Sequence, residues 1–493
     1  MSFNSLLKRF ANGSLWLFLG NTLAQILTFS ASILIARLLG KTTFGEYGMI
    51  TNTLGMLGVF AGLGLGLTTT KYVAELKLKD PEQAGIVVGS SIIISLFSGG
   101  IIGLALFIFS PFLAEQTLNA PHLTEEIRIS SLYIFFNAVN GMQIGALSGL
   151  ESFKASSKIN IIRGVLFFGC TILGTYLGGL KGIIIANVVA SGITTWLSHK
   201  AIKLECAYHN IKISYKLQKK QWGILWNFSF PALISNILTI PAMWIGNTLL
   251  VNQPNGYAEM GIISAANQWR MMLLFLPTIF NGVALPILSE QNESTNNNFN
   301  NFETMVDMLQ SVSIITIIPM YIVIILSSDW IMQLYGSDFS NGSSILILMV
   351  TGFTISAVGN AAGVAIQSMG KMWLGAFMNF TWASIYLIFI GVFVKFWHGL
   401  ALAIGFSLAH LVLIIWAYIY LKNNVGKIVF RRTIIVIIFI IIACALAIMM
   451  STSVKLWLVI PFTTLSIFIA LTKWSNPIIK NKLTSSLKSK FVP

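Results

Sequence analysis

Long apolar runs, broken by short polar stretches, are the dominant pattern of the chain. A hydrocarbon core of about 30 Å is crossed by roughly 20 apolar residues in helical form. Fourteen runs are about that long, near 14–37, 46–69, 85–110, 129–149, 162–180, 182–198, 223–250, 260–287, 308–327, 344–368, 374–394, 399–421, 433–450 and 456–472. In lipid, backbone amides find partners only inside a helix or a closed barrel, so runs of this length predict helices. The expected fold is therefore an all-α polytopic membrane protein with about fourteen transmembrane helices, joined by very short turns near 180 and 398.

The runs also repeat. Residues 45–50 read GEYGMI and residues 258–263 read AEMGII, and Ser14 and Asn21 match Ser229 and Asn236 at a similar offset. Further on, one ungapped register aligns Asn140 with Asn360, Ser148 with Ser368, Gly179-Leu180 with Gly399-Leu400 and Trp196 with Trp416. Each unit holds six runs, an even number, so both enter the membrane in the same direction as parallel repeats. The pattern predicts two six-helix lobes around a central cavity: an N-lobe at 1–198, a basic cytoplasmic linker at 199–222 and a C-lobe at 223–421. Residues 422–493 add two helices and a basic tail. GxxxG spacings at Gly58-Gly62-Gly66, Gly141-Gly145-Gly149 and Gly359-Gly363 point to close helix packing.

Composition sharpens this picture. The chain is 55% hydrophobic, only 10% charged and has a mean hydropathy of +0.79, against about 25% charged residues in soluble domains. The net charge of +15 is topological rather than a nucleic-acid face: with the N-terminus inside, twenty-four of the 31 lysines and arginines fall on the inner side. Six are outer, Arg37, Lys41, Arg128, Lys181, Lys395 and Lys455, and both termini are expected in the cytoplasm. The first run is too long for a cleaved signal peptide and reads as a retained helix. Three cysteines, two of them inside runs, argue against a disulfide framework. The sequence carries no P-loop, no HExxH and no paired intramembrane carboxylates, so neither an enzyme, nor a metal site, nor a cofactor is expected.

The leftover charge is Arg270, near the middle of the run 260–287. An arginine there costs about 2.5 to 3.5 kcal/mol on insertion scales and persists only beside water, a counter-charge or a ligand. All sixteen acids lie in loops or at span ends, so a buried ion pair is disfavoured and a cationic aqueous cavity is expected. Its planar fork suits phosphate oxygens, and the neighbouring Trp269 offers either a stacking face for sugar rings or a packing surface. Polar residues form stripes at helical spacing: Ser14, Asn21, Gln25, Thr28 and Ser32; Asn267, Arg270 and Asn281; Ser356, Asn360, Gln367 and Lys371. With Asn236, these stripes are either hydrogen-bonding seams between helices or the wall of the cavity. Pro231 and Pro241, and Pro277 and Pro286, mark two runs as places where kinks are expected.

Several stretches carry a family resemblance. GNTLAQILTFSASILIARLLGKTTFGEYGMI, then GVFAGLGLGL and KYVAE, resemble the polysaccharide-exporter family, as do ALSGLESFK at 146–154, FSFPALISNIL and ANQW. Within it, the chain is most similar to the O-antigen (Wzx-type) flippases of the multidrug/oligosaccharidyl-lipid/polysaccharide export superfamily. The resemblance implies a flippase of the bacterial inner membrane. It would move undecaprenyl-pyrophosphate-linked O-antigen repeat units from the cytoplasmic to the periplasmic leaflet, for lipopolysaccharide biosynthesis. It implies a cationic lumen, the O-antigen polymerase and chain-length regulator as partners, and Arg37 of ARLLG as a structural or pyrophosphate-facing residue. Within the same superfamily, the alternatives are an organic-cation antiporter and an exporter of another lipid-linked glycan, such as a capsule unit, enterobacterial common antigen or a peptidoglycan precursor. From another class, the alternative is a scaffold for the polymerase. The antiporters generally use membrane carboxylates, which the first and seventh runs lack.

The charge distribution makes a topological prediction. Reporter fusions after residues 210, 425 and 485 should report cytoplasm, and fusions near 120, 255 and 335 should report periplasm. A periplasmic signal at 210 would overturn the even-numbered repeat.

Overall fold

A computed structural model describes residues 3–216, 238–293, 299–424 and 430–472. Among the described residues the apolar runs are helical and no strand occurs, and residues 223–237 of the seventh run lie outside the described residues. In chain order the elements are α1 (Phe3–Gly62), α2 (Leu65–Leu76), α3 (Pro81–Phe112), α4 (Thr124–Gly149), α5 (Phe153–Tyr208), α6 (Thr239–Val251) and α7 (Gly256–Glu293). They continue with α8 (Phe299–Leu326), α9 (Ser328–Tyr335), α10 (Ser343–Ser368), α11 (Met372–Asn424), α12 (Phe430–Met449) and α13 (Thr452–Thr472).

Three of these are too long for one span and break where the backbone leaves the helical region. α1 breaks at Gly40 (φ 75, ψ 170), α5 at Gly178 and Gly179 (φ 55, ψ −133), and α11 at His398 (φ 43, ψ −124). The arms of α5 fold back so closely that a Cβ on Gly182 would lie 1.9 Å from the Gly174 carbonyl oxygen. The arms of α11 likewise meet, Trp382 edge-on to Phe406 at 5.8 Å between ring centroids. The short turns expected near 180 and 398 are therefore tight reversals.

The chain divides into two compact units, Met1–Trp244 and Ile245–Pro493. In the first, α5 packs on α1 and α4, and α4 packs on α2 and α3. The run expected as one span at 46–69 is instead interrupted by positive φ at Leu63 and Gly64, and α2 starts afresh at Leu65. This re-aims α2 along the glycine face of α4. Cβ atoms on Gly145 and Gly149 would sit 2.2 Å from Gly66 and 2.8 Å from Thr70, both at carbonyl oxygens. Gly58 and Gly62, by contrast, have nothing against them. Lys77, just past α2, closes the end of α4: its Nζ donates to the Gly149 carbonyl at 3.2 Å and to Glu151 at 2.7 Å, a favourable place for a cation.

In the second unit α10 is central, packed by α7, α8, α11 and α12. The last two helices are fastened to this unit by charge. Arg432, in the first turn of α12, pairs with Asp307 of α8 and donates through Nη1 to Ser311 Oγ at 2.9 Å. The two charged side chains are only 10% and 13% exposed. Beside them Gln310 Nε2 donates to Thr433 Oγ1 at 2.5 Å, and Tyr321 donates its hydroxyl to the Ile440 carbonyl at 3.0 Å. At the other end Lys455 of α13 reaches Asp329 of α9 at 3.0 Å. Burial opposes the Asp329 carboxylate, but bonds from Lys455, Ser343 and Thr452 hold it below its usual range.

Removing one partner of a buried pair strands the other charge, at a cost of about 3 to 5 kcal/mol. Arg432→Ala should therefore lower the melting temperature of the purified protein and its abundance in the membrane. An apolar replacement of both, Asp307→Leu with Arg432→Met, should recover most of the loss. Thermal unfolding monitored by intrinsic fluorescence checks this; unchanged melting of Arg432→Ala would mean the pair fastens nothing.

Candidate functional site

α7 carries Arg270 fourteen residues past Gly256, about 21 Å along the helix axis, deep inside the span. The side chain is half-buried, with its guanidinium carbon 5.7 Å from the ring centroid of Phe353 on α10. Among the described residues no carboxylate forms an ion pair with it. What lies behind Arg270 is aromatic. Phe353 meets Phe406 edge-on at 5.2 Å, and Trp382 stacks on Tyr386 at 5.2 Å. His410 lies within electrostatic range of Arg270. Trp382 Nε1–H donates to His410 Nδ1 at 2.8 Å, and an indole N–H can only donate, so that nitrogen is the acceptor. Rings of this kind support the cation through their π faces but supply no counter-charge. One turn before Arg270, Asn267 is half-buried, and its Oδ1 has no hydrogen-bond partner among the described residues. Trp269 is also half-buried, and Asn281 falls on the same helix, its side chain outside the described residues.

α10 explains where that site leads. Nearly every position of this helix is buried or half-buried, and its three exposed positions are Asn360, Gly363 and Gln367. Their spacings of 3 and 4 put them on one face. An exposed face inside a membrane span that is amide and glycine, not aliphatic, does not suit hydrocarbon and calls for water. At about 100° per residue, Phe353, Asn360 and Gln367 lie within about 40° of one another around the axis. The ring beneath Arg270 thus begins a polar line that runs about 20 Å to Gln367. Lys371 follows, exposed, after a glycine at φ +70 that ends the helix. The stripe read from the sequence is a surface here, and Arg270 stands at its head.

The first unit treats its stripe differently. Thr28 and Ser32 spend their hydroxyls on carbonyls of their own helix, Ala24 and Phe29. Gln25 is half-buried. Asn21 is exposed and accepts from Asn160 Nδ2 of α5 at 2.7 Å, beside tight backbone contacts of Gly20 with Ser157 and Gly164 with Ala24. Arg37 is exposed near the Gly40 break.

A further cation lies along α5. Arg163 falls at the start of the apolar run 162–180, and α5 begins earlier, at Phe153. Arg163 is therefore about 15 Å inside the helix, exposed, and within electrostatic reach of Tyr133 on α4. The exposed apolar face of that arm carries Ile162, Val165, Leu173 and Tyr176; Arg163 lies roughly 125° around from its centre, on the flank of Asn160. Asn236 and Pro231 lie outside the described residues; Pro241 is in the first turn of α6, and α7 runs unbroken through Pro277 and Pro286.

Comparison with known proteins gives this geometry a setting. The family model described as "Polysaccharide biosynthesis protein" matches residues 10–291. A Shigella flexneri protein described as a candidate O-antigen transporter is 22% identical over 408 residues, covering 80% of this chain and 93% of that protein. Two solved structures share the fold. An inward-facing multidrug-resistance MATE transporter of the MOP superfamily superposes with a TM-score of 0.67 at 15% identity, over 81% of this chain and 94% of that one. The lipid II flippase MurJ, inward closed, superposes with a TM-score of 0.66 at 15% identity, over 97% and 99% of the two chains.

If the α10 line is wet, cysteines placed on it should react with a membrane-impermeant maleimide. In a background without Cys170, Cys206 and Cys444, Asn360→Cys and Gln367→Cys should label, whereas Ile438→Cys on the exposed apolar face of α12 should not. Labelling of Ile438→Cys alone would reverse the assignment of wet and lipid-facing surfaces.

Proposed function

The chain belongs to the polysaccharide biosynthesis protein family, and on that footing we propose that it is a flippase for lipid-linked glycan precursors. The finer reading is a flippase for undecaprenyl-pyrophosphate-linked O-antigen repeat units. It carries them from the cytoplasmic to the periplasmic leaflet of a bacterial inner membrane by alternating access, and hands them to a polymerase and chain-length regulator. The observation that carries this reading is an arginine within an apolar run, without a carboxylate partner among the described residues, standing at the head of an exposed amide line.

The chemistry of the cargo asks for these features. A pyrophosphate cannot enter hydrocarbon without losing its hydration, and a planar guanidinium replaces that water with two parallel, charge-assisted hydrogen bonds. Sugar hydroxyls need donors and acceptors along their path, which Asn360 and Gln367 offer on α10 and Asn267 on α7. Arg163 and Asn21 would serve the same ends in the first unit, and Lys371 would draw the anionic headgroup toward the lower end of the line. Trp269, next to Arg270 in the chain, would offer a face to a sugar ring. An organic-cation antiporter needs the opposite sign. Asp307, the carboxylate nearest to such a role in the second unit, is already paired with Arg432. The fold likeness to both MATE and MurJ proteins leaves the sign of the site as the discriminating feature. Another lipid-linked glycan would use the same pyrophosphate chemistry, and matched sugar pathways separate the cases.

Expression in a flippase-null strain with the matching sugar pathway should restore surface polysaccharide, and should confer no resistance to cationic dyes in a pump-deficient host. Arg270→Lys should retain partial transport, because an ammonium still attracts phosphate without the bidentate fork. Arg270→Ala should lose most of it and Arg270→Glu all of it, at near-normal abundance in the membrane. An abundant and fully active Arg270→Ala, or dye efflux without polysaccharide rescue, would overturn the proposal.

A further inference from the structure

The second arm of α5 presents one exposed stripe along its length. Ile185, Val189, Ile193, Trp196, Lys200 and Lys203 recur at spacings of 4, 4, 3, 4 and 3, which is a single helical face. The stripe changes character once. Three exposed β-branched residues come first, then Trp196, 55% exposed, marks the edge of the apolar zone. Lys200 folds back over its ring, with Nζ 3.6 Å from the centroid. From Ile185 to Trp196 the helix rises about 16 Å, close to half of a core about 30 Å thick. Tryptophan at the boundary and lysines beyond it are the ordering expected of a lipid-facing helix meeting headgroups.

Past Lys203 the stripe runs into a cavity of about 530 Å³ lined by Lys203, Cys206, Asn210, Lys212, Ile213 and Tyr215. Its wall is not a loose tail. The extended stretch after α5 lies against α3, where Ser214 N–H donates to the Gly85 carbonyl at 3.1 Å and Ile211 N–H to the Cys206 carbonyl at 2.8 Å. Only glycine allows this approach: a Cβ on Gly85 would be 2.0 Å from the Lys212 carbonyl oxygen, and one on Gly89 2.1 Å from that of Ser214. Ile211 and Cys206 are buried in the core shared with Val88 and Ile202, so the floor is apolar and fixed. Two lysines, an asparagine and an exposed tyrosine form the rim, and no carboxylate lines the cavity among the described residues.

We propose that this cavity holds the phosphate headgroup of an anionic glycerophospholipid from the leaflet on the lysine-rich side of the membrane, with its acyl chains along Ile185, Val189 and Ile193. The apolar stripe leading into the rim selects a lipid over a free phosphate. Lys203 and Lys212 supply the charge, Asn210 and Tyr215 the neutral donors for the glycerol ester region. The site lies wholly within the first unit and does not depend on what the protein transports.

Native mass spectrometry of the full-length protein, titrated with phosphatidylglycerol or phosphatidylcholine of equal chain length, tests this. The wild type should retain phosphatidylglycerol in preference. A cation near the membrane surface contributes about 1 kcal/mol toward an anionic lipid. Lys203→Gln with Lys212→Gln should therefore weaken phosphatidylglycerol binding about 25-fold and leave phosphatidylcholine unchanged. Lys203→Arg with Lys212→Arg should bind as the wild type does. Ile193→Ser should also weaken retention, and each variant should melt at the wild-type temperature. Soluble glycerol 3-phosphate should not displace the lipid. Displacement at equal concentration would mean a site for free phosphoanions, and undiminished phosphatidylglycerol retention by the glutamine pair would mean no headgroup site; either result overturns the proposal.

Discussion

Hydrocarbon offers no hydrogen bonds, and that constraint organises the molecule at every level. It makes the apolar runs helices, because only an internal ladder satisfies their amides. It also removes the hydrophobic drive between helices, so contact has to come from close backbone approach. The contact of Gly145 and Gly149 with α2, and of Gly174 with Gly182, is that approach realised.

The same constraint sorts the charges. Asp307 and Arg432 are sheltered from water and satisfy each other; Lys77 spends its charge on a helix end and Glu151. Arg270 has no such settlement among the described residues, only aromatic rings behind it and an amide line ahead of it. Stability alone would favour an apolar side chain at that position. Under the proposed function, that cation and the polar exposure of α10 serve one anionic cargo.

Exposure inside the membrane has two meanings in this protein, and they separate cleanly by chemistry. On α12 and on the second arm of α5 exposed residues are Ile, Leu and Val, which suits lipid tails. On α10 they are Asn, Gly and Gln, which suits water. Where the lipid-facing stripe of α5 reaches the headgroup region it gains Trp196 and lysines. The surface is thus graded along the membrane normal as well as around each helix.

Much of this was legible in the sequence by itself. Period and length of the apolar runs determined the helical class and the membrane setting, because hydropathy is a local property summed along the chain. The unmatched Arg270 was visible for a similar reason, since an inventory of acids needs no coordinates. Tertiary structure decided what depends on distant neighbours. It started α5 at Phe153, ten residues ahead of Arg163, broke the second run at Leu63 and Gly64 so that α2 could reach the glycines of α4, and joined Arg432 to Asp307 across more than a hundred residues. It also split the polar stripes by fate, folding Thr28 and Ser32 onto their own helix while leaving Asn360 and Gln367 exposed. A stripe in sequence fixes only which side chains share a face; what that face meets is settled by the helices that pack around it.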